Sequence, residues 1–464
     1  MSNYDLVKGH YVLPFDLYGF QKDAVEEHAP EPRSALYFEP GLGKTATSTV
    51  CALFHKLMGT DTVIVLMPPI ILTTWKRWLS SIKKKDGSDL DVLVYQGSPA
   101  ERLKMTLTGH DFVLMSMQIF KKDYERITDE FGHKKVHVIL DEAQCIKDVS
   151  TQNYKKFRDF ADTQSFQLLT GTPLNNPLDA YAYIKLAAPH VYRNLAQFER
   201  IHIYERDFFG NAVAYQNLEL LQSNLLLSAS RKTKEEVLLD LPELIITPIE
   251  YELDPAHYRL YKTLVEEQLL RLPDGDKLDV TQATALYHAL GQVIMQWRHF
   301  SQDDSVKAAG YNLIEEVLDE LGGKKLIVFA NYVRTNREIV ERFGCPGVWG
   351  EVSAKEKQKA LDKFIEDPEC RLITLQPVSG GVGINLQHVC CDILYVEPPI
   401  AVSHWIQSLS RCHRDGQKLP VTVRMAQALG TIQVRLIQSL TNKEELVNPL
   451  QQSRALLKEA LLGR

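Results

Sequence analysis

Short runs of apolar residues alternate with longer amphipathic stretches along most of the chain. In the first half, runs of strand length lie at 35–38, 62–67, 92–95, 112–116, 136–140 and 166–170. In the second half, they lie at 326–330, 371–375, 391–396 and 422–426. Because these runs are apolar at consecutive positions and are separated by helix-length segments, they predict parallel α/β sheets whose strands are buried on both faces.

The middle of the chain has a different pattern. Between about 183 and 322 the strand pattern mostly disappears, and 257–272 and 281–300 show helical spacing instead. The segment 244–253 is the exception and predicts a strand. The pattern therefore predicts two α/β lobes with a helical region inserted between their sheets.

Composition narrows the class of protein. A chain of 464 residues suits two or three domains, and 45% apolar with 24% charged residues is typical of a globular protein. The longest apolar runs, such as 63–72, are too short to span a bilayer, and no secretory signal is visible, so we expect a cytoplasmic protein. The seven cysteines form no C-x-x-C pair, which argues against a zinc ribbon. A net charge of −6 does not indicate nucleic-acid binding, but a basic groove can lie on an acidic protein.

A glycine-rich loop follows the first predicted strand. Residues 37–45 read YFEPGLGKT and are followed by a predicted helix at 46–57. In this arrangement Lys44 would reach the β- and γ-phosphates of a nucleotide and the Thr45 hydroxyl would bind Mg²⁺. The strict pattern has glycine where Phe38 stands, so the match is to a helicase variant of the loop, and the alternative is a glycine turn that merely precedes Lys-Thr. The candidate ATP-binding residues here are Pro40, Gly41, Leu42, Gly43, Lys44, Thr45 and Ala46.

Two adjacent carboxylates end the strand predicted at 136–140. Asp141 would hold Mg²⁺ and Glu142 would polarise the attacking water. Asp-Glu after a strand can also be a solvated strand end. Downstream of a phosphate-binding loop, the pair favours hydrolysis of a nucleoside triphosphate.

A pair of arginines lies in the second half, within 405–417, which reads WIQSLSRCHRDGQ. Arg411 and Arg414 are three residues apart on a predicted helix and would share one face. The simpler interpretation is a solvated helix face. In a chain with a phosphate-binding loop in another lobe, the pair could instead supply the cation that a γ-phosphate needs.

Taken in order, these motifs resemble those of the Swi/Snf family of superfamily-two helicase-like ATPases. Segment 231–242 resembles the family's approach to its second lobe rather than that of general helicases. The other similar segments are 17–22, 41–45, 67–76, 111–118, 141–144, 169–176, 326–331, 380–386 and 407–417.

The resemblance implies a fold and a set of boundaries. The fold is α/β, with two RecA-like lobes that have parallel sheets and with helical insertions between them. The implied parts are lobe 1 at 1–182, its helical insertion at 183–227, a linker leading into lobe 2 at 228–255, the helical insertion of lobe 2 at 256–322, lobe 2 with the arginine fingers at 323–442, and a C-terminal helix at 443–464.

The resemblance also implies further site residues, with ATP and Mg²⁺ as cofactors. Gln21 would read adenine, and Gly383 would belong to the ATP site. The family often has arginine where Val378 stands, which leaves one DNA or interlobe contact in doubt. DNA contacts would go mostly to phosphates, although each hydroxyl involved could instead cap a helix or close a turn. The candidates are Thr74, Lys76, Ser116, Thr172 and Ser379.

The function implied is that of an ATP-dependent translocase on duplex DNA that remodels DNA-bound proteins or DNA junctions. One alternative is a strand-separating or branch-migrating helicase. Another is an ATP-gated subunit that binds a protein partner, with DNA secondary. We expect a monomer with duplex DNA as partner, in the minimal form found in bacteria, archaea and phages, because no bromodomain, chromodomain or zinc module is visible.

Overall fold

The computed structural model describes residues 1–174, 176–206, 210, 212–270, 280–300, 309–377 and 385–441. These residues form two compact units, the first comprising Met1–Arg206 and Ala212–Leu239 and the second beginning at Asp240. Val378, Ser379, Gly383 and the predicted helix at 443–464 lie outside the described residues.

The strands that the structure describes are mostly short. They are β1 (Tyr11–Val12), β2 (Arg33–Phe38), β3 (Thr62–Met67), β4 (Lys83–Lys84), β5 (Val92–Val94), β6 (Phe112–Ser116), β7 (Val136–Asp141), β8 (Ser165–Leu169), β9 (Ile203–Arg206), β10 (Ala212–Tyr215), β11 (Ala229–Lys232), β12 (Leu244–Tyr251), β13 (Leu326–Phe329), β14 (Gly347–Val348), β15 (Leu372–Leu375), β16 (Asp392–Tyr395) and β17 (Val421–Ala428).

The helices lie between most of these strands. They are α1 (Asn3–His10), α2 (Gly19–His28), α3 (Lys44–Leu57), α4 (Leu72–Ser80), α5 (Pro99–Leu103), α6 (Met117–Lys122), α7 (Tyr124–Phe131), α8 (Gln152–Ala161), α9 (Ala180–Ala187), α10 (Leu195–His202), α11 (Leu218–Leu225), α12 (Lys234–Val237), α13 (Pro255–Leu270), α14 (Val280–Met295), α15 (Ala309–Glu320), α16 (Val333–Phe343), α17 (Ala354–Glu366), α18 (Val402–Leu409) and α19 (Ile432–Thr441).

Each unit contains one large parallel sheet. In the first unit the order is β11-β2-β8-β7-β3-β6-β5, and in the second it is β12-β17-β16-β13-β15-β14. Every pairing within these two sheets is parallel. The predicted fold class, two α/β lobes of the RecA-like kind with parallel sheets, is confirmed.

Both faces of each large sheet are covered by other parts of the same unit. In β2, Ala35 and Tyr37 belong to one core cluster, whereas Leu36 and Phe38 belong to the other. The strand β13 divides in the same way between two clusters of the second unit. Burial on both faces explains why the strands are apolar at consecutive positions rather than alternating.

Some strands in the middle of the chain are absent from the sequence prediction. The polar strand β11 pairs in parallel with β2 at the edge of the first sheet, and β9 and β10 form an antiparallel hairpin. Of the segment 228–255, β11 therefore belongs to the first sheet and β12 to the second. Only Ala229 of β11 is buried, so the other side chains need not be apolar and the pattern of apolar positions gave no signal for β11. Within the described residues, no helix is both long and apolar enough to cross a bilayer.

Candidate functional site

The candidate hydrolytic residues of the first unit lie at one edge of its sheet. The neighbouring parallel strands β2, β8 and β7 end close together, with Leu36 opposite Leu169 and Leu169 opposite Asp141. Asp141 is the last residue of β7, and the loops that follow the three strands contain the glycine-rich segment, the segment 170–172 and Glu142. The structure therefore brings these motifs to the carboxyl edge, where open parallel sheets bind their ligands.

The loop between β2 and α3 has a backbone suited to phosphate. Gly41 and Gly43 have φ values of 95° and 73°, in the left-handed region that glycine adopts without strain. Gly43 is also the N-cap of α3. The first N–H groups of a helix lack carbonyl partners within that helix and attract anions, so the start of α3 at Lys44 provides the features expected of a phosphate-binding loop.

Lys44 lies within electrostatic reach of the Asp-Glu pair. Its ammonium group donates a hydrogen bond of 2.8 Å to the carbonyl of Phe38, and its positive charge partly opposes the rise in the pKa of Asp141 that burial causes. Thr45 stands beside it in the first turn of α3. The Thr45 hydroxyl and the Asp141 carboxylate are oxygen donors of the kind that Mg²⁺ prefers, so this donor set fits the metal. Their assignment as ligands stays a prediction.

Gln21 is fixed against the glycine-rich loop. Its side-chain amide on α2 donates to the carbonyl of Leu42 at 3.0 Å, and its side-chain oxygen accepts the N–H of Tyr18 at 2.9 Å. A Cβ atom added at Gly43 would lie 2.3 Å from Gln21 Nε2, so only glycine permits this close approach. Contact of Gln21 with adenine stays a prediction, as does the role of Pro40 and Ala46.

Asp141 is a buried carboxylate with a defined set of donors. Its Oδ2 atom accepts the indole N–H of Trp75 at 2.8 Å, and its Oδ1 atom accepts the backbone N–H of Glu142 at 2.9 Å. Burial, followed by the nearby charge of Glu142, raises the pKa of Asp141 to about 6, while the Trp75 bond and Lys44 act in the opposite direction. Because burial disfavours the charged carboxylate, a cation bound next to Asp141 would stabilise its charged form.

Glu142 begins a chain of hydrogen bonds that ends in the 169–176 segment. Its carboxylate accepts the side-chain amide of Gln144 at 2.6 Å, and the Gln144 oxygen accepts the hydroxyl of Thr170 at 2.9 Å. The Thr170 hydroxyl in turn accepts the backbone N–H of Thr172 at 3.1 Å. The segment also packs on the glycine-rich loop, because a Cβ atom at Gly171 would lie 2.7 Å from Pro40 Cδ. The segment 169–176 is therefore in direct contact with both the Asp-Glu motif and the glycine-rich loop.

The arginine pair of the second unit does not lie on a helix, and that prediction is wrong. The helix α18 ends at Leu409, and residues 410–416 form turns. The Arg411 carbonyl accepts the N–H of Leu386 at 3.0 Å, and Gly416 has a φ of 88°. The Arg411 carbonyl is thus bonded outside any local helix, and the left-handed conformation of Gly416 does not fit a right-handed helix.

The two arginines nevertheless lie in one well-held turn. Arg411 is buried and Arg414 is half-buried. Burial lowers the pKa of Arg414, yet an arginine stays charged in proteins. Arg414 donates to the side-chain oxygen of Asn385, and Gln387 donates to the carbonyl of Asp415 at 3.4 Å. The residues that follow the 378–384 segment are thus joined directly to the arginine turn.

The candidate DNA contacts differ in exposure. Thr74 and Lys76 are exposed on α4, whereas Ser116 and Thr172 are buried. The Ser116 hydroxyl accepts the N–H of Ile119 at 3.2 Å, as the N-cap of α6. The structure thus gives Ser116 the capping role that was its alternative interpretation. Contact of these four residues with DNA stays a prediction, and Ser379 lies outside the described residues.

Several contacts at the site were not assigned from the sequence. Trp75, Gln144 and Thr170 received no role of their own in the sequence analysis. The last two lie inside the motifs 141–144 and 169–176, so their position was a signal that could have been used. No sequence signal indicates which carboxylate Trp75 contacts, because that contact joins residues far apart in the chain.

Comparison with known proteins gives matches along most of the chain. Residues 31–306 match the family model described as the SNF2-related domain, and residues 310–416 match the helicase conserved C-terminal domain. Among solved structures, the SWI2/SNF2 ATPase core of Sulfolobus solfataricus in complex with dsDNA is similar, with a TM-score of 0.44 and 22% identity, over 96% of this chain and 95% of that one.

Curated relatives are longer than this chain. An uncharacterized ATP-dependent helicase of Mycoplasma pneumoniae is 28% identical over an alignment of 426 residues, and the match covers 88% of this chain and 39% of the relative. A chromatin structure-remodeling complex subunit of Schizosaccharomyces pombe is 24% identical over an alignment of 439 residues, and the match covers 83% of this chain and 35% of the relative. The chain therefore spans less than half the length of either relative.

Proposed function

The chain belongs to the SNF2-related family, and from that premise we propose that it hydrolyses ATP to move along duplex DNA and to remodel DNA-bound proteins or DNA junctions. The observation that supports this most is the chain of hydrogen bonds from Glu142 through Gln144 and Thr170 to Thr172. It joins the carboxylate proposed for hydrolysis to the segment that, by its resemblance to the family, couples hydrolysis to DNA.

The residues of the first unit divide the chemistry among them. The glycine-rich loop and the start of α3 bind the phosphates, and Lys44 binds the β- and γ-phosphates. Thr45 and Asp141 hold Mg²⁺, which when bound neutralises charge on the phosphates. Glu142 orients the attacking water, and Gln144 fixes the carboxylate that does so. Gln21 contacts adenine from its position against the loop.

The second unit supplies positive charge. Arg411 and Arg414 reach the γ-phosphate in the hydrolysing state and stabilise the charge that develops there. In GTPases an arginine in this role contributes about three to five decades of rate. Asn385 and Leu386 contact the arginine turn, so we expect these two residues to help hold the proposed fingers in position.

DNA is bound through its backbone. Exposed Thr74 and Lys76 on α4 contact phosphates, together with backbone N–H groups at the sheet edges. Contacts of this type do not depend on base identity, which suits movement along any sequence. They also allow binding by a protein of net charge −6, because affinity follows the local surface.

The ATPase rate without nucleic acid, with single-stranded DNA and with blunt duplex tests this proposal. Salt must be fixed because phosphate contacts are salt-sensitive. We expect strong stimulation by duplex over single strands, with no activity in Glu142→Gln. Preference for single strands or forks would favour a strand-separating helicase. Indifference to all DNA would favour a subunit that acts on a protein partner.

A further inference from the structure

Trp75 connects the magnesium-binding carboxylate to the helix α4. Its side chain is 1% exposed, and its indole N–H donates to Asp141 Oδ2 at 2.8 Å. The other carboxylate oxygen accepts the N–H of Glu142. Each carboxylate oxygen can accept more than one hydrogen bond or metal contact. The indole can therefore hold Asp141 while the carboxylate binds a metal ion or one of its waters.

The two faces of α4 have different surroundings. Trp75 lies on the buried face, whereas its sequence neighbours Thr74 and Lys76 are exposed. These neighbours are the proposed phosphate contacts. A shift of α4 on binding DNA would move the indole at the same time, because all three residues belong to one rigid turn of helix. Asp141 would then gain or lose the donor that fixes its orientation.

A residue such as Trp75, which hydrogen-bonds to a proposed metal ligand, is expected to have a measurable effect on metal binding. Residues that hydrogen-bond to a metal ligand orient it, and their removal typically lowers metal affinity by about 10- to 100-fold. The hydrogen bond from Trp75 to Asp141 is also buried. If the indole N–H is removed, a water molecule can take its place only at a cost in free energy.

We propose that Trp75 is the positioning residue through which α4 controls the Asp141 carboxylate, so that duplex DNA bound at Thr74 and Lys76 changes the magnesium affinity of the nucleotide site. This inference rests on the proposed function. It adds a defined route from DNA to the metal ligand, separate from the route through Gln144 and Thr170.

The chain provides a matched control on the same helix. One turn further along α4, the indole N–H of Trp78 donates to the hydroxyl of Thr49 at 3.1 Å, and its ring stacks on Phe15 at 4.6 Å. Trp75→Phe and Trp78→Phe therefore make the same chemical change in one helix. Each removes an indole N–H bond, but only the first bond reaches a carboxylate of the site.

The first experiment measures ADP affinity by titration at a series of Mg²⁺ concentrations and in EDTA. In Trp75→Phe we expect the Mg²⁺ concentration for half-maximal tightening to rise about tenfold, with unchanged affinity in EDTA. Trp78→Phe should behave as the unmodified protein does. A normal Mg²⁺ dependence in Trp75→Phe, or an equal shift in both variants, would overturn the proposal.

The second experiment adds blunt duplex to the same titration. In the unmodified protein, duplex should shift the Mg²⁺ concentration for half-maximal tightening. In Trp75→Phe this shift should disappear, although duplex affinity measured by anisotropy in EDTA without nucleotide stays the same. A full shift in Trp75→Phe would refute the proposed route. Failure of duplex to bind the unmodified protein would instead overturn the proposed function, leaving the Mg²⁺ result of the first experiment to judge Trp75.

A measurement on the unmodified protein covers the case in which Trp75→Phe does not fold. With ¹⁵N-labelled tryptophan, the indole N–H resonance of Trp75 can be assigned by elimination from tryptophan-to-phenylalanine variants at the other positions. We expect this resonance to shift on addition of Mg²⁺ with ADP, and again on addition of duplex. A resonance that responds to neither would contradict the proposal.

Discussion

At the scale of single residues, Glu142 has a backbone conformation that few residue types adopt. Its φ is 56° in the left-handed region, which is uncommon for a residue other than glycine, asparagine or aspartate. Its carboxylate is held by Gln144. Backbone strain of this kind persists where the surrounding structure fixes it, and it is frequent at functional sites. The strained backbone of Glu142 therefore agrees with a role in which the orientation of its carboxylate is important.

Glu142→Gln should retain ATP while losing hydrolysis. The amide keeps the size of the side chain but cannot act as a base, so we expect the rate to fall by about 10²- to 10⁴-fold. Lys44→Ala should also abolish hydrolysis, because it removes the cation proposed for the β- and γ-phosphates. Steady-state ATPase and equilibrium binding of ATP measure both. Hydrolysis by Glu142→Gln at the unmodified rate would exclude Glu142 from the role assigned to it.

Arg414→Ala should leave nucleotide binding nearly intact and stop turnover. The reason is that the proposed finger acts on charge that develops during the reaction, and its loss should reduce the rate by about 10³- to 10⁵-fold. Lys418→Ala is the control, since it removes an exposed positive charge near the same turn. Normal single-turnover hydrolysis by Arg414→Ala would show that the finger assignment is wrong.

At the scale of elements, the contact between α3 and β7 includes two stacked histidines, of which His137 is buried and His55 is half-buried. His55 of α3 stacks on His137 of β7 with ring centroids 4.0 Å apart. Burial lowers the pKa of His55 to about 4 and lowers the pKa of His137 well below its usual value. Both rings are therefore neutral in the folded protein at neutral pH.

The free energy of unfolding should fall as pH drops below about 6.5. In the unfolded chain these histidines gain protons near 6.5, whereas in the folded protein His55 gains one only near pH 4. The contribution of His55 is fully present above pH 6.5 and declines by up to about 3 kcal/mol towards pH 4. Urea unfolding at pH 7 and pH 5.5 should show a smaller difference in His55→Gln than in the exposed control His133→Gln. Equal differences would contradict this account.

A comparison of the predicted and observed elements shows which parts of the fold can be predicted from the sequence. Strands such as β3 and β7 are predictable because burial on both faces requires apolar residues throughout. The polar strand β11 is held by backbone pairing with β2, which leaves no pattern in its side chains. The turn at Arg411 and Arg414 follows α18 in a segment with helical spacing, but α18 ends at Leu409 and the Arg411 carbonyl accepts the N–H of Leu386, a contact far along the chain. The motif loops predict the nucleotide site, whereas the Trp75 contact depends on folding of distant segments.

At the scale of the whole molecule, the proposed motor would act on DNA without a basic overall charge. The net charge is −6, so long-range attraction to DNA is not supplied by the chain as a whole. Binding should therefore depend on a limited set of phosphate contacts, with Thr74 and Lys76 as the exposed candidates on α4. Nucleotide chemistry at the first sheet and the arginines of the second unit would then be used to change these contacts in each cycle.

Displacement of a third strand from a blunt duplex tests the central claim of translocation most directly. The substrate is a linear duplex with a triplex-forming oligonucleotide bound away from its end, and Glu142→Gln is the control that lacks hydrolysis. We expect ATP to cause release of the third strand while the two strands of the duplex stay paired, and we expect no release by Glu142→Gln. Retention of the third strand by a protein whose ATPase is stimulated by duplex, or separation of the duplex strands themselves, would contradict translocation along duplex DNA.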